Sequence, residues 1–527
     1  MNDPKQPKTE AENMAEHPVQ PPVPPAPPMQ PPVPPAAYAP YTPYTYARPA
    51  VPFVCDAHER KLLLIAAGLG IALCELLLWA APGVSVVVLT ALAYGGIFAY
   101  GKGCPTFDGR RGALLDIPIA LAALSCALFA NELLTMGNIV LLYFLLALRV
   151  SRMFGQPADN AWSAFAASGL AAPFRHIGAL FQTLRAPGSG MRSRTVGRAA
   201  LGILISVPVA AVVLALLRSA DAAFDRALSR LATHWSTAAE HAAVDLLVGA
   251  VLAILLFSLA YTARYAAPAV QKSGARRLDS VIVGTVLAVC AVIYLCFFAV
   301  QFRYLFSAVW GHLPSEYLYS EYARRGFFEL AAAACINLAL VCFALRTQHA
   351  DRSVMKGAVV LLAAETLVLI GSALSKMAMY IRVYGLTPMR LYTSVFMIGL
   401  ALVFTGLIVA RFVRFPVQNV CAAALIALYL ALNFAVPNRM IAEWNVRHFE
   451  SGALTTVDFD LLRDLGADAV PAVVRLTAHG DAEIRAEAHA VLRAMADDLQ
   501  TTRDIRSTTL SGQLARHRIA QVRRNEA

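Results

Sequence analysis

Long apolar runs separated by short polar stretches fill the chain from about residue 60 to residue 436. Most of them are about 17–25 residues long, the length that a helix needs to cross a hydrocarbon core of about 30 Å. The pattern predicts an all-α, polytopic membrane helix bundle of about eleven spans. The predicted spans lie near residues 62–81, 84–100, 113–131, 134–149, 198–217, 243–262, 280–301, 327–345, 354–375, 391–410 and 417–436.

Composition strengthens the membrane assignment. Hydrophobic residues make up 58% of the chain and charged residues only 15%, against roughly 45–50% and 25% in soluble domains. Nine cysteines lie scattered through or beside the spans without a C-x-x-C pair. This spacing argues against disulfides and zinc, and nothing in the sequence calls for a cofactor.

Basic residues in the loops predict the orientation, because Lys and Arg in short loops favour the cytoplasm. With the N-terminus inside, the cytoplasmic segments carry 21 Lys and Arg residues and the opposite loops carry nine. No apolar segment with a cleavage site occupies the first thirty residues, so we expect the first span to act as the insertion signal. The sequence therefore predicts a multi-pass protein of a bacterial cytoplasmic (inner) membrane, with the region after the last span outside.

The segments outside the membrane differ in character. Residues 1–59 are predicted to be a disordered cytoplasmic tail, because 18–52 repeats QPPVPPA and lacks core-forming residues. In the cytoplasmic loop 151–197, Phe174, Ile177, Phe181 and Leu184 form an apolar stripe flanked by arginines. This stretch is predicted either to rest on anionic lipid head groups or to pack on the bundle.

The C-terminal segments are polar and helical in pattern. Residues 437–500 are predicted to form an extracytoplasmic helical region containing one HEAT-like helix pair between Asp468 and Met495. One pair cannot bury both of its faces, so it should dock on the bundle or on a partner protein. Residues 501–527 are predicted to be a flexible tail. The basic residues form no aromatic-interleaved groove of the kind that binds nucleic acid.

Four polar segments gather on the predicted extracytoplasmic side, at 218–228, 319–330, 375–390 and 438–450. Together with DFDLLRDLGADAVPAV, the motifs SADAAF, YSEYARRGFFEL, YGLTPMRLY and NRMIAEWNV resemble the bacterial integral-membrane family catalogued as domain of unknown function 4173, related to 4153. The resemblance covers roughly residues 60 to 495 and implies a membrane location but no particular activity. The matching positions are Asp221, Phe224, Glu321, Tyr322, Arg324, Gly326, Phe327, Glu329, Tyr384, Gly385, Leu386, Thr387, Arg390, Asn438, Ile441, Asn445, Asp468 and Pro471.

These segments supply a candidate ligand site made of polar residues from separate parts of the chain. Two arginines there could bind an anionic head group or a carboxylate. Alternatively, the same side chains anchor helix ends or pair with neighbours. The candidate residues are Asp221, Glu321, Arg324, Arg390, Asn438 and Asn445.

Three polar residues lie within the predicted spans: Glu75, Asn337 and Glu365. An acid at such a depth costs about 2.5–3.5 kcal/mol, so each should face the bundle interior, as part of a polar pair or of a proton or cation path. No zinc-protease, nucleophile-elbow, phosphate-loop or EF-hand motif occurs. We expect a non-enzymatic, transporter-like or accessory envelope protein. The alternative is a multi-pass enzyme acting at the same outer face on a lipid-linked or anionic substrate.

Overall fold

Helices make up the regular structure of the described part of the chain. The computed structural model describes residues 57–79, 81–156, 161–185, 213, 216–221, 224, 226, 237–265, 279–305, 319–345, 353–501 and 504–526, with side chains from residue 327 onward in the segment that begins at 319. The proline-rich tail up to residue 56 and most of the predicted span 198–217 lie outside these residues. The other ten predicted spans coincide with helices.

The described bundle helices are separated by connections of different length. In chain order they are α1 (Ala57–Leu77), α2 (Val84–Gly101), α3 (Asp116–Leu128), α4 (Glu132–Met153), then the short α5 (Ile177–Arg185), α6 (Thr237–Tyr265), α7 (Ser280–Leu305), α8 (Tyr319–Ala344), α9 (Ser353–Tyr384), α10 (Pro388–Val409) and α11 (Val417–Phe434).

Eight of the described helices are long and apolar enough to cross a membrane, so the chain is a multi-pass membrane helix bundle. The eight are α2, α4 and α6–α11. The other two predicted spans are more polar or shorter. Helix α1 carries Arg60, Lys61 and Glu75, and α3 has 13 residues, about 20 Å of helix.

The bundle has two ends, which cross-helix contacts identify. Glu59 at the start of α1 contacts Arg264 at the end of α6, whereas Trp79 after α1 contacts Asp245 near the start of α6. Helices α1 and α6 are therefore antiparallel. We call the end that carries residues 102–115 and 161–185 the loop end, and the end that carries residues 437–526 the capped end.

Five further helices form the cap. They are α12 (Pro437–Glu450), α13 (Phe459–Asp464), α14 (Val470–Leu476), α15 (Ala482–Thr501) and α16 (Leu510–Glu526). The faces predicted for the HEAT-like pair are buried: Val473 and Ala488 are 0% exposed. Their core also takes in Leu386 and neighbouring residues of the bundle, so the pair docks on the bundle rather than standing alone.

The end of the chain differs from the prediction. Residues 501–527 were expected to be a flexible tail, but α16 is a regular helix whose Ala515 and Ile519 are 2% and 4% exposed in the cap core. Its apolar positions are few and lie among many charged and polar residues, which makes its periodicity weak in the sequence. The helix gains its stability by packing on α14, α15 and the bundle.

Close helix packing joins α1 to α6. A Cβ on Gly70 would lie 2.3 Å from the carbonyl oxygen of Gly249 and 3.0 Å from the backbone nitrogen of Ala253. Ala66 and Gly70 on one helix, and Gly249 and Ala253 on the other, follow the small-xxx-small pattern that lets membrane helices approach closely. This contact holds the first helix against the middle of the chain.

The loop 151–197 folds back on the bundle in its described part. Short helical turns at Ala161–Phe165 and Ala172–Arg175 precede α5, and the side chains of Ser258 and Thr262 on α6 donate hydrogen bonds to the carbonyl oxygen of Ala172. From the predicted stripe, Phe181 and Leu184 pack on the bundle, whereas Phe174 is 65% exposed. A role for Phe174 in lipid contact stays a prediction.

Candidate functional site

The turn between α9 and α10 explains much of the YGLTPMR motif. Gly385 has φ +80°, a conformation that favours glycine. The Asn445 side chain donates to the carbonyl oxygen of Leu386 at 2.7 Å and accepts from its N–H at 2.8 Å. A Cβ on Gly385 would lie 2.8 Å from Asn445 Oδ1. Asn445 therefore fixes the turn to the cap, and its amide atoms are engaged by backbone.

Arg390 completes the same turn. Its Nη1 donates to the carbonyl oxygens of Tyr384, at 2.8 Å, and of Gly385. Its guanidinium lies 4.2 Å from the centre of the Tyr380 ring. A cation at the C-terminus of α9 satisfies carbonyl groups that the helix leaves open and offsets the negative end of its dipole. The guanidinium of Arg390 thus already binds the turn. An anion bound there would share the guanidinium with these two carbonyl groups.

Asn438 belongs to a buried amide network between the bundle and the cap. Its Oδ1 accepts from Asn131 at 2.8 Å, and its Nδ2 donates to the carbonyl oxygen of Leu465 at 3.0 Å. Asn131 also donates to the hydroxyl of Tyr392 and caps α4 by accepting from the N–H of Leu134, both at 2.9 Å. The network ties α4, α10, α12 and the end of α13 together.

Asp468 lies beside this network with 5% exposure. Its Oδ1 accepts a hydrogen bond from the Ser511 hydroxyl of α16. Burial raises the pKa of the Asp468 carboxyl above its ordinary value, although Ser511, the backbone of Ala130 and the charge of Arg439 act in the opposite direction. In the sequence analysis Asp468 stood only as a position matching the family. Asn131 was not predicted as a site residue, because nothing in the sequence around it indicates a buried amide network.

The remaining predicted ligand residues are not brought into this cluster by the described structure. Asp221 is exposed. Glu321 and Arg324 lie in the first turns of α8, but their side chains lie outside the described residues. Arg390, Asn438 and Asn445 occupy the capped end, where each contacts backbone carbonyl groups. Convergence of all six residues on one ligand stays a prediction.

The three polar residues predicted inside the spans have different surroundings. Glu75 is not in the bundle interior: its side chain is 54% exposed and pairs with Arg506 of the cap at 2.9 Å. Asn337 is fully buried, donating to Thr366 at 2.9 Å and accepting from the Tyr294 hydroxyl at 3.0 Å. Glu365 is 4% exposed, as the sequence predicts, and neither carboxyl oxygen has a hydrogen-bond partner among the residues that the structure describes.

A cleft of about 950 Å³, lined by both polar and apolar residues, opens between the capped end of the bundle and the cap helices. The α1–α2 and α3–α4 connections form one wall, and α13, α15 and α16 form the other. Arg463 and Asp498 form an ion pair of 3.6 Å in the cleft, with both side chains more than half exposed. The polar lining residues include Asn131, Glu132, Arg463, Asp498 and Arg516. The amide network of Asn438 therefore meets the cleft at Asn131.

An apolar cavity of about 480 Å³ lies within the bundle between α1, α2, α4 and α6. Its volume is within the range of about 300–1,000 Å³ found for small-molecule sites. Leu77, at the end of α1, lines both the cavity and the cleft. The two spaces are therefore neighbours, one of mixed lining at the capped end and one apolar within the membrane helices.

The loop end contains two ion pairs that the sequence did not predict, and the first of them is buried on both sides. Glu59, 0% exposed, accepts from Arg264 at 2.6 Å and from the Tyr265 hydroxyl at 2.9 Å. Arg149, 1% exposed, contacts Asp116 at 2.6 Å. Glu59 and Arg264 are 205 residues apart, so spacing along the chain gave no signal of their pair, whereas Asp116 and Arg149 join the consecutive helices α3 and α4. Removal of one partner of the buried Glu59–Arg264 pair should strongly destabilise the protein.

The fold and its two spaces define a multi-pass membrane protein with a helical cap on one end. The family model described as "Domain of unknown function (DUF4153)" matches residues 116–476. The match covers more than half of the chain, and the chain belongs to this family. Comparison with curated proteins and with solved structures gives no match.

Proposed function

We propose that the protein is a non-enzymatic, transporter-like or accessory protein of a bacterial cytoplasmic membrane that binds a polar ligand in the cleft at its capped end. The N-terminus is cytoplasmic and the capped end is extracytoplasmic in this proposal. The five sequence motifs support a place beside the 4173 relatives of the family. Anionic lipid at residues 151–197 and a protein partner for the cap helices are further proposals from the sequence.

The sidedness follows from the basic residues. Connections at the loop end carry Lys102, Arg110, Arg111 and Arg175, and Arg152 lies in the last turn of α4. On the capped end the connections at 78–83 and 129–131 carry no basic residue, and Arg382 and Arg390 flank the α9–α10 turn. Lys and Arg in short loops favour the cytoplasm. This distribution supports a cytoplasmic loop end and an extracytoplasmic cleft.

The cleft itself carries the binding proposal. It is large, and it presents two arginines and two acids beside the amide of Asn131. The Arg463–Asp498 pair is exposed, so it contributes little to stability, and a ligand that carries charge can reach it from the cleft. A solute or head group with an anionic group fits this lining, since Arg binds carboxylate and phosphate groups through two hydrogen bonds.

The test uses a deletion strain and untargeted profiling of its lipids and metabolites. Wild-type protein should restore the profile, and Arg463→Gln or Asp498→Asn should not, at equal protein levels in the membrane. Arg447→Gln is the matched control, because Arg447 forms an exposed ion pair with Glu443 elsewhere on the cap. Full restoration by both cleft variants would remove the proposal.

A further inference from the structure

We infer that the ligand of the cleft is an amphiphile whose polar head lies in the cleft and whose acyl chain enters the apolar cavity. This inference rests on the proposed function, since it identifies the ligand class of the same site. The observation that suggests this inference is that Leu77 lines both the cleft and the cavity. A lipid of the surrounding membrane has both parts, and the occupant to which we commit is a phospholipid.

The cavity can accept an occupant from the membrane. It is partly open at the surface of the bundle, where its lining residues Val140 and Tyr143 are 57% and 39% exposed. Its lining is otherwise almost wholly apolar, so an apolar molecule that enters from the membrane is stabilised by the contacts it makes there. A molecule from the surroundings therefore fills this space.

Water does not suit the cavity. Among its described lining residues only Thr90, Tyr100 and Tyr143 have polar side chains. Each hydroxyl already donates within the protein: Thr90 to the carbonyl oxygen of Val86, Tyr100 to Glu59, and Tyr143 to the carbonyl oxygen of Gly169. A buried water needs about two to four polar partners, so a hydrocarbon chain is the better occupant.

The arrangement of the two spaces fits the two parts of a lipid. The cavity extends from Leu77 and Val86, near the capped end, to Tyr100 and Pro173, near the loop end. A chain that enters at Leu77 thus runs along α1 into the membrane core. Its head group stays in the cleft near Arg463, Asp498 and Arg516, which can bind a phosphate together with an amine.

The experiment uses two photoreactive phosphatidylethanolamines in vesicles of phosphatidylethanolamine and phosphatidylglycerol. One analogue carries a diazirine in an acyl chain, and the other carries it on the head group. After irradiation, mass spectrometry locates the labelled residues. We expect the chain probe to label cavity residues such as Leu73 and Leu256, and the head probe to label the cleft near Arg516, both saturably.

A cavity-filling variant gives the sharper result. Ala93 lines the cavity, and Ala93→Phe should reduce chain labelling more than tenfold, because each methylene excluded from the cavity weakens binding about fourfold and the ring excludes at least two. Ala91→Phe, on an exposed position of the same helix, should label as wild type does. If Ala93→Phe does not fold, Leu73→Trp replaces it as the cavity-filling variant. Labelling of Leu256 then reports whether the acyl chain still enters the cavity.

The outcomes separate this inference from the proposed function. Chain labelling confined to outward-facing residues such as Leu64, which is 74% exposed, would overturn the lipid assignment. Unchanged cavity labelling in the filled variant would overturn it too. Competition at the cleft by glycerophosphoethanolamine without any labelling of the cavity would show a soluble ligand. The proposed function would then stand and the lipid would be wrong. Restoration of the strain by the cleft variants would instead remove the proposed function.

Discussion

Asp468 carries a carboxyl group into the core where the cap meets the bundle, and its pKa gives the first prediction. Burial raises that pKa above the ordinary value, so the folded protein holds this proton more tightly than the unfolded chain does. The stabilisation is complete below the unfolded pKa of about 3.8 and is lost as pH rises through the folded pKa. Asp468→Asn should therefore be more stable than wild type at neutral pH, with the difference shrinking in acid.

The measurement is the melting temperature of the detergent-solubilised protein as a function of pH. Asp464→Asn is the control, because Asp464 is exposed on α13 four residues away. Its melting curve should follow wild type at every pH. A destabilised Asp468→Asn at neutral pH would show that the ionised carboxylate contributes to the junction through Ser511.

Glu365 gives a second prediction at this scale. A buried carboxyl without a hydrogen-bond partner costs about 1–3 kcal/mol, so Glu365→Leu should raise the melting temperature. Asn337→Leu should lower it, because that amide has partners on both sides at Thr366 and Tyr294. Thermal melts of both variants test the contrast. Destabilisation by Glu365→Leu would mean that the carboxyl makes a stabilising contact, for example with a bound cation.

Among helices, the crossing of α1 and α6 is the contact most sensitive to a single methyl group. Gly70→Ala would place a Cβ against the backbone of Gly249, where no side chain can move aside. We expect a loss of about 1–3 kcal/mol, the usual cost of overpacking. Gly68→Ala, with nothing within 4 Å of its Cβ, should be neutral or slightly stabilising. Melting temperatures of the two variants decide, and equal values would contradict the tight crossing.

Some elements of the fold follow from local sequence patterns, and others depend on contacts between distant residues. Runs of apolar residues predicted the bundle helices, because a membrane span must satisfy its own backbone hydrogen bonds. The helical periodicity of apolar residues, which includes Val473 and Ala488, predicted the buried faces of the cap, because this periodicity is local to each helix. Helix α16 depends on tertiary packing, which no local pattern contains. The pairing of Glu75 with Arg506 joins residues more than 400 positions apart, so it could not be predicted from the sequence either.

The candidate site shows the same division. The sequence selected the polar segments at the capped end, and Asn438, Asn445 and Arg390 lie there. It could not tell that these side chains hydrogen-bond backbone groups and hold a turn and a junction. The cleft and the cavity arise from helices packed in three dimensions, so their lining residues do not stand out in the sequence. The roles of Glu321 and Arg324 stay predictions.

Over the whole molecule, the two ends differ in charge as well as in structure. Basic loops and the ion pairs Glu59–Arg264 and Asp116–Arg149 lie at the loop end, and the cap lies at the other. Because the alternating helices separate these ends by about the length of a membrane span, any orientation must put them on opposite sides. The basic residues then select the orientation.

The topology prediction follows from this separation. A reporter fused at residue 50 should give a cytoplasmic signal, and one fused after residue 500 an extracytoplasmic signal. In intact cells, a membrane-impermeant maleimide should label Ser451→Cys on the cap but label Lys102→Cys only after permeabilisation, since both positions are exposed at opposite ends. The wild-type protein controls for its own cysteines. Labelling of Lys102→Cys in intact cells would reverse the orientation, and with it the assignment of the cleft to the outer face.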